Sequence, residues 1–260
     1  MVALLALATL LPFFSMIATA LMGEFEPLRS PPPLLPARPH LENFAAVLGA
    51  LPFARFFLNS VVFAGAAVAG QVLTSAAAAY AFARLRFPGR DRVFVAFLAV
   101  LVVPAAVLLI PRFLLVRALG GLDGYAGLVS TELVSVGGIF LLRQCFLGLP
   151  RDLEDAARLD GAGEWTIFWR VALPLSTPAL ATLAVFGFVE EWKNFVWPLV
   201  ATRSIEMQVA ELGVASVHGL YPATWPYQMA AAVTAMVPML VLYFVAQRYF
   251  MRGMALAAPR

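Results

Sequence analysis

The chain has 260 residues, 62% of them hydrophobic and 13% charged, with a mean hydropathy of +0.86. Soluble domains carry about 25% charged residues, and a soluble core of this size has no room for so much apolar surface, whereas a bilayer does. The composition therefore points to a membrane protein, and the net charge of +3 does not make it a nucleic-acid binder, because its arginines gather at the ends of apolar stretches.

Six apolar stretches are long enough to span a bilayer, over residues 2–22, 54–83, 93–117, 125–146, 176–200 and 226–247. The reading is an all-α, polytopic membrane protein folded as one transmembrane domain over 1–260. The first stretch ends in Ala18-Thr19-Ala20, which resembles a signal cleavage site. No Lys or Arg precedes it, however, and its apolar run is longer than the usual signal core of about 7–15 residues. It reads as a retained first helix.

Between the first two stretches, residues 23–52 hold Pro27, Pro31, Pro32, Pro33, Pro36 and Pro39. Proline lacks an amide hydrogen and fixes φ, so an extended, stiff connector is expected here rather than a helix. Arg84, Arg86, Arg90 and Arg92 follow the second stretch. Arg143, Arg151, Arg158 and Arg170 lie in or beside the connection after the fourth, and Arg248, Arg252 and Arg260 occupy the tail. These three groups fall on one side, which the positive-inside rule makes cytoplasmic, with both termini. Arg29, Arg38, Arg55 and Arg203 fall on the other side, in loops that also carry Glu24, Glu26, Glu42 and Glu206.

Cys145 is the single cysteine, which excludes an intrachain disulfide and a thiolate metal cluster. It reads as a small packed hydrophobe. His40 and His218 are far apart in loop-like segments, so no metal site is expected.

Residues 149–174, between the fourth and fifth stretches, are the most charged part of the chain. Leu149, Leu153, Ala156 and Ala157 recur at helical spacing, and Pro150 suits a first turn. Asp152, Glu154 and Asp155 sit where a helix dipole favours negative charge. Gly161 supplies a left-handed terminator, with Asp160 beside it favouring a turn. A second helix is expected from Gly163-Glu164, with Trp165, Phe168 and Trp169 on its apolar face and Pro174 as its stop or kink. A helix lying on anionic lipid would carry a Lys- and Arg-rich polar face. Here three acids face Arg151 and Arg158, so docking on another protein is the better reading.

Within the stretches, polar groups are expensive and therefore functional candidates. They are Gln71, Thr74 and Ser75 in the second stretch, Ser130, Thr131, Glu132 and Ser135 in the fourth, and Glu190, Glu191, Trp192, Lys193 and Asn194 in the fifth. Gln71, Thr74, Glu132, Glu190, Trp192 and Asn194 are candidates for lining a pathway. The structural alternatives are an i, i+3 pair between Glu190 and Lys193 and an Asn194 bond to a neighbouring helix. Residues 201–224 form a long connection with Gly213, Gly219 and Pro222, expected to be irregular.

The spacing Asp155-Ala156-Ala157, three residues, Gly161, nine residues, Val171-Ala172-Leu173-Pro174 resembles the signature loop of permease subunits of binding-protein-dependent ABC importers. Asp155 stands where that family has Glu, and Val171 where it has Ile. Ala79-Tyr80-Ala81-Phe82-Ala83-Arg84 with Phe87-Pro88-Gly89-Arg90, Asp160-Gly161-Ala162, Trp192-Lys193-Asn194-Phe195 with Trp197-Pro198-Leu199, and the tail Gln247–Gly253 resemble its carbohydrate branch, the MalG-like subunits.

The resemblance implies a type I importer domain in the prokaryotic inner membrane. A second permease subunit completes the pathway, two ATPase subunits bind the cytoplasmic loops, and an external binding protein delivers a sugar or sugar-like solute. It implies docking roles for Asp155, Ala156, Ala157, Asp160, Gly161, Trp165 and Phe168, and contact of 201–224 with the binding protein. The chain holds no phosphate-binding loop, so no catalytic residue and no cofactor are expected on it, with ATP and Mg on the partner ATPase. A phosphorylated polyol is a rival solute. Rivals of a different class are a proton- or sodium-coupled secondary carrier, which predicts inverted repeats and charged spans, and a membrane scaffold without transport.

Overall fold

A computed structural model describes residues 1–31 and 33–257, with the side chains of these except 2–4 and 246–257. Pro32, Arg260 and the side chains of Arg248, Arg252 and the rest of the tail motif lie outside the described residues. The described residues form helices and no strand. In chain order these are α1 (Val2–Ala20), α2 (Glu42–Ala50), α3 (Phe53–Arg84), α4 (Arg90–Ala99), α5 (Ala105–Ala118), α6 (Tyr125–Ser130), α7 (Val136–Gly148), α8 (Arg151–Leu159), α9 (Glu164–Leu175), α10 (Thr177–Trp192), α11 (Val196–Ala201), α12 (Ala210–Leu220) and α13 (Trp225–Ala257).

All six apolar stretches are helical, but three of them are broken. Among the described residues, only α3, and α13 through Val245, are long and apolar enough to cross a membrane singly. Arg90–Val102 meets α5 at 100°, and α9 meets α10 at 75°. The first bend falls at Val103-Pro104, where Val103 is extended. A residue before proline is pushed out of the α region, and the proline offers no amide to continue the ladder. At the second bend, α9 runs through Pro174 only because Phe168–Ala172 widens into a π turn, a form that absorbs a missing i→i−4 bond. The fourth stretch divides between α6 and α7 at Thr131–Ser135, where the Ser135 hydroxyl accepts from the Gly138 amide at 3.0 Å and starts α7. The fifth divides at Lys193–Phe195, where Asn194 Oδ1 accepts from the Trp197 amide at 3.4 Å.

The chain packs as two compact units. The first comprises residues 1–61 and 194–241. Its core holds Ala20, Val47, Phe53, Phe56, Val217 and Ala230. Two sequence expectations change here. The prolines end at Pro39, and the chain then forms α2 rather than continuing extended. Asn43 and Val47, four residues apart, are buried, and Asn43 Nδ2 donates to the carbonyls of Ala20 and Met22 at 2.8 and 2.9 Å. It thereby satisfies groups that the end of α1 leaves open. The connection 201–224 is likewise ordered around α12. Asn59 Nδ2 donates to the carbonyls of Glu206 and Gln208, both at 2.7 Å, and Ser60 Oγ accepts from the Ala210 amide at 2.8 Å. Gly213 serves packing rather than looseness, since a Cβ there would lie 2.4 Å from the Phe56 ring.

The second unit comprises residues 62–193 and the end of α13. Its core joins Ala79, Tyr80, Leu142, Phe146, Ile167 and Phe168. Irregular backbone at membrane depth survives only where its polar groups are satisfied by protein or by water in a cavity. The break at 131–135 meets that condition through one face of α3. Gln71 Nε2 donates to the Glu132 carbonyl at 2.9 Å, Thr74 Oγ1 to Leu133 at 2.8 Å and Ser75 Oγ to Ser135 at 3.1 Å. These donors stand at i, i+3 and i+4, the spacing of one helical face.

Candidate partner-docking site

Helix α8 begins after Pro150, which sits just outside the helix with extended ψ. Its end is a Schellman closure. Gly161 has φ +84°, its amide donates to the Arg158 carbonyl at 3.0 Å, and the Ala162 amide donates to Ala157 at 2.9 Å. A side chain at Gly161 would be strained whatever the space around it. Helix α9 then starts at Glu164, as its sequence predicts.

The two helices turn different faces to the unit than their apolar residues suggest. Leu153, Ala156 and Leu159 of α8 are exposed, with Leu159 at 90%. The residue facing inward is Glu154, whose Oε1 pairs with Arg84 Nε at 2.9 Å, the two side chains being 4% and 3% exposed. Arg84 Nη2 also donates to the Leu149 carbonyl at 2.7 Å, so the end of α3 holds the start of the loop. Tyr80, one turn earlier on α3, donates from its hydroxyl to Glu164 Oε2 at 3.0 Å. Arg158 joins the remaining acids, reaching Asp155 at 2.8 Å, Glu164 at 3.1 Å and Glu154 at 3.6 Å. Its hydrogen bond to Glu164 is the main cause of a pKa raised above the ordinary arginine value, so it stays a cation. A cleft of about 1350 Å³ lies beside α8, lined by Arg86, Arg90, Arg92, Arg151, Asp155 and Arg158 among others.

The expected docking residues are thus divided. Asp155, Ala156, Asp160, Gly161 and Trp165 are exposed, and Ala157 is half-buried. Phe168 is corrected: it is buried, with its ring 5.2 Å from Tyr80, and belongs to the core. The reason is that α9 packs Ile167 and Phe168 against α3 and α7, leaving Trp165 and Trp169 outward.

The pathway candidates are also sorted. Gln71 is buried, donating to Glu191 Oε1 at 2.8 Å as well as to the Glu132 carbonyl. Thr74 seals the helix break, Trp192 is buried against Phe188 with ring centroids 5.8 Å apart, and Asn194 caps α11. Glu132 pairs with Arg112 of α5, and Glu190 is exposed. Sequence reading passed over Arg112, and it took Glu154 only as an acid in the first turn of α8, not as the partner of Arg84. Arg112 had a signal, a cation in the interior of the stretch 93–117, whereas Arg117 stands at its end. Glu154 had none, because its partner Arg84 is remote in sequence.

Residues 71–256 match the family model described as "Binding-protein-dependent transport system inner membrane component". The chain belongs to that family. Among curated relatives of this permease family, the sn-glycerol-3-phosphate transport system permease protein UgpE of Yersinia pestis bv. Antiqua (strain Antiqua) is 34% identical over 257 residues, covering 95% of this chain and 91% of the relative. The arabinooligosaccharides transport system permease protein AraQ of Bacillus subtilis (strain 168) is 32% identical over 260 residues, covering 99% and 92%. A solved bacterial ABC transporter involved in import of the acidic polysaccharide alginate matches with a TM-score of 0.84 at 24% identity, over 96% of this permease and 93% of that chain. That likeness shows the fold, an importer transmembrane domain. The chain is therefore an inner-membrane permease subunit, and a secondary carrier is not favoured.

Proposed function

We propose that this permease forms, with a second permease subunit, the pathway of an ATP-driven importer for a sugar or sugar-like solute delivered by an external binding protein. Residues 149–174 are its dock for one of two ATPase subunits, which hold the ATP and Mg that this chain has no loop to bind. The observation that carries the reading is the exposed apolar set Leu153, Leu159 and Trp165 on a loop whose inner side is tied to α3 through Arg84–Glu154 and Tyr80–Glu164. Large exposed apolar groups rimmed by charge mark a contact surface, and the ties make the loop move with α3. Closure of the ATPases then biases the spans between two states, as coupling between sites requires. Asp155, already oriented by Arg158, offers a carboxylate to an arginine on the ATPase.

The arginine-rich connections put this loop and both termini on the cytoplasmic side. The segment 201–224 then lies outside, as the contact for the binding protein. The relatives' named solutes, glycerol phosphate and arabinooligosaccharides, bracket the solute class as polyhydroxylated.

Leu159→Asp is expected to lower co-purification of the ATPase subunits, and solute-stimulated ATP hydrolysis by the reconstituted complex, by tenfold or more, since burying an unpaired carboxylate costs several kcal/mol. Trp165→Ala should weaken both more mildly. Undiminished assembly and hydrolysis in the two variants would sink the docking assignment. Uptake driven by a proton gradient with this chain alone would sink the importer.

A further inference from the structure

The ion pairs of the second unit leave part of the cleft beside α8 unclaimed. Six arginines line it against four acids. Each of those acids already has a cation: Glu154 has Arg84, Asp155 and Glu164 share Arg158, and Asp91 has Arg90. Arg86, Arg92 and Arg151 are exposed and have no hydrogen-bond or ion-pair partner among the described residues. The turn that carries the first two is fixed. Gly89 has φ +77°, and Arg90 Nη1 donates to the Leu85 carbonyl at 3.3 Å. Arg86 and Arg92 thus come from the segment joining α3 to α4, while Arg151 opens α8.

The place of the cleft decides what it meets. Helix α3 is long and apolar enough to cross the membrane and ends at Arg84, so the turn after it sits at the membrane surface. Phe87, which lines the cleft, is exposed, and α4 goes on to expose Val93 and Val95. Arginines clustered just beyond a span are the pattern that holds anionic lipid headgroups. The guanidinium fork matches phosphate oxygens. Ligand pockets run to about 300–1,000 Å³, so a cleft of about 1350 Å³ has room for a phospholipid headgroup with its water. The acids of α8 that line the cleft do not repel it from within, because Arg84 and Arg158 hold them.

We propose that Arg86, Arg92 and Arg151 hold the phosphate of an anionic phospholipid of the cytoplasmic leaflet, which bridges the end of α3 to the docking loop. The assignment rests on the orientation and docking proposed above and adds a lipid partner to that site.

The test uses the full complex of two permeases, ATPases and binding protein. The complex is delipidated in neutral detergent and titrated with phosphatidylglycerol or phosphatidylcholine, and bound lipid is counted by native mass spectrometry. Arg86→Gln with Arg92→Gln removes two of the charges and lies outside residues 149–174. An arginine near an anionic surface contributes about fivefold in affinity. Affinity for phosphatidylglycerol is therefore expected to fall about tenfold or more, with phosphatidylcholine binding unchanged. Arg151→Gln should weaken it further. Arg86→Lys with Arg92→Lys should keep most of it, and Arg29→Gln with Arg38→Gln, the same charge change in segment 23–52, should keep all of it. Equal affinity for phosphatidylglycerol in the wild type and the double Gln variant would overturn the proposal. So would loss of the ATPases from that variant in lipid-free detergent, which would give these arginines to an acidic segment of the ATPase. ATP hydrolysis stimulated by the binding protein, read on the wild-type complex in neutral lipid, tests the importer itself, so the two failures are told apart.

Discussion

Glu154→Ala is expected to destabilise the permease by about 3–5 kcal/mol, the usual cost of removing one partner from a buried ion pair. Arg84 would remain as an uncompensated charge, 3% exposed, and the Leu149 carbonyl bond alone does not balance it. A thermal melt of the purified complex should show the transition falling by several degrees. Solute-stimulated ATP hydrolysis should fall with it, because α8 loses its ion-pair tie to α3 and only the Leu149 carbonyl bond still holds the start of the loop. The double variant Arg84→Met, Glu154→Leu separates the two effects. Replacing a buried pair by apolar groups of similar size is often neutral for stability, so the double variant should melt near the wild type while coupling remains weakened. If Glu154→Ala melted with the wild type, the pair would contribute nothing and the tie between α3 and the loop would be wrongly assigned.

A comparable loss is expected for Gly127→Ala, for a different reason. Gly127 of α6 is buried, and a Cβ built on it would lie 2.0 Å from the Gly121 carbonyl oxygen and 2.7 Å from its carbon. Both are backbone atoms, so no side chain can rotate away. The turn at 119–124 or α6 must shift, and overpacking of this kind costs about 1–3 kcal/mol, with rigid sites at the upper end. Low yield of assembled complex, or a melting point lowered by several degrees in fluorescence-detected size exclusion, is the expected result. Gly137→Ala is the matched control, because no atom lies within 4 Å of a Cβ there. Equal behaviour of the two variants would remove the close approach from the account.

Much of the loop 149–174 was legible because its signals are local. Gly161 ends α8 in the left-handed region, and Glu164 opens α9, from chemistry contained within a few residues. The division of faces was not legible. The apolar stripe of Leu149, Leu153, Ala156 and Ala157 is split, Leu149 and Ala157 packing against the core and Leu153 and Ala156 staying exposed, while Glu154 points inward because Arg84 waits there. Phe168 and Trp165, adjacent on the helix, go to opposite fates for the same reason: α3 and α7 offer Phe168 a core, and nothing in the unit covers Trp165. The pathway candidates show the same limit. A polar residue in an apolar stretch signals that it needs a partner without saying which, and Gln71, Thr74 and Ser75 found theirs in the broken backbone of 131–135.

The sequence by itself determined that the chain enters a membrane, where its apolar stretches lie, which of its connections is the most charged, and which family it resembles. These follow from hydropathy, charge and the spacing of a short motif, all of which act along the chain. Tertiary structure alone decided what satisfies the backbone broken at 131–135, which charges pair across the unit, and which face of each short helix stays open. Those depend on residues brought together from distant positions, Arg84 with Glu154 and Arg112 with Glu132. A buried charge is stable only beside a partner that folding supplies.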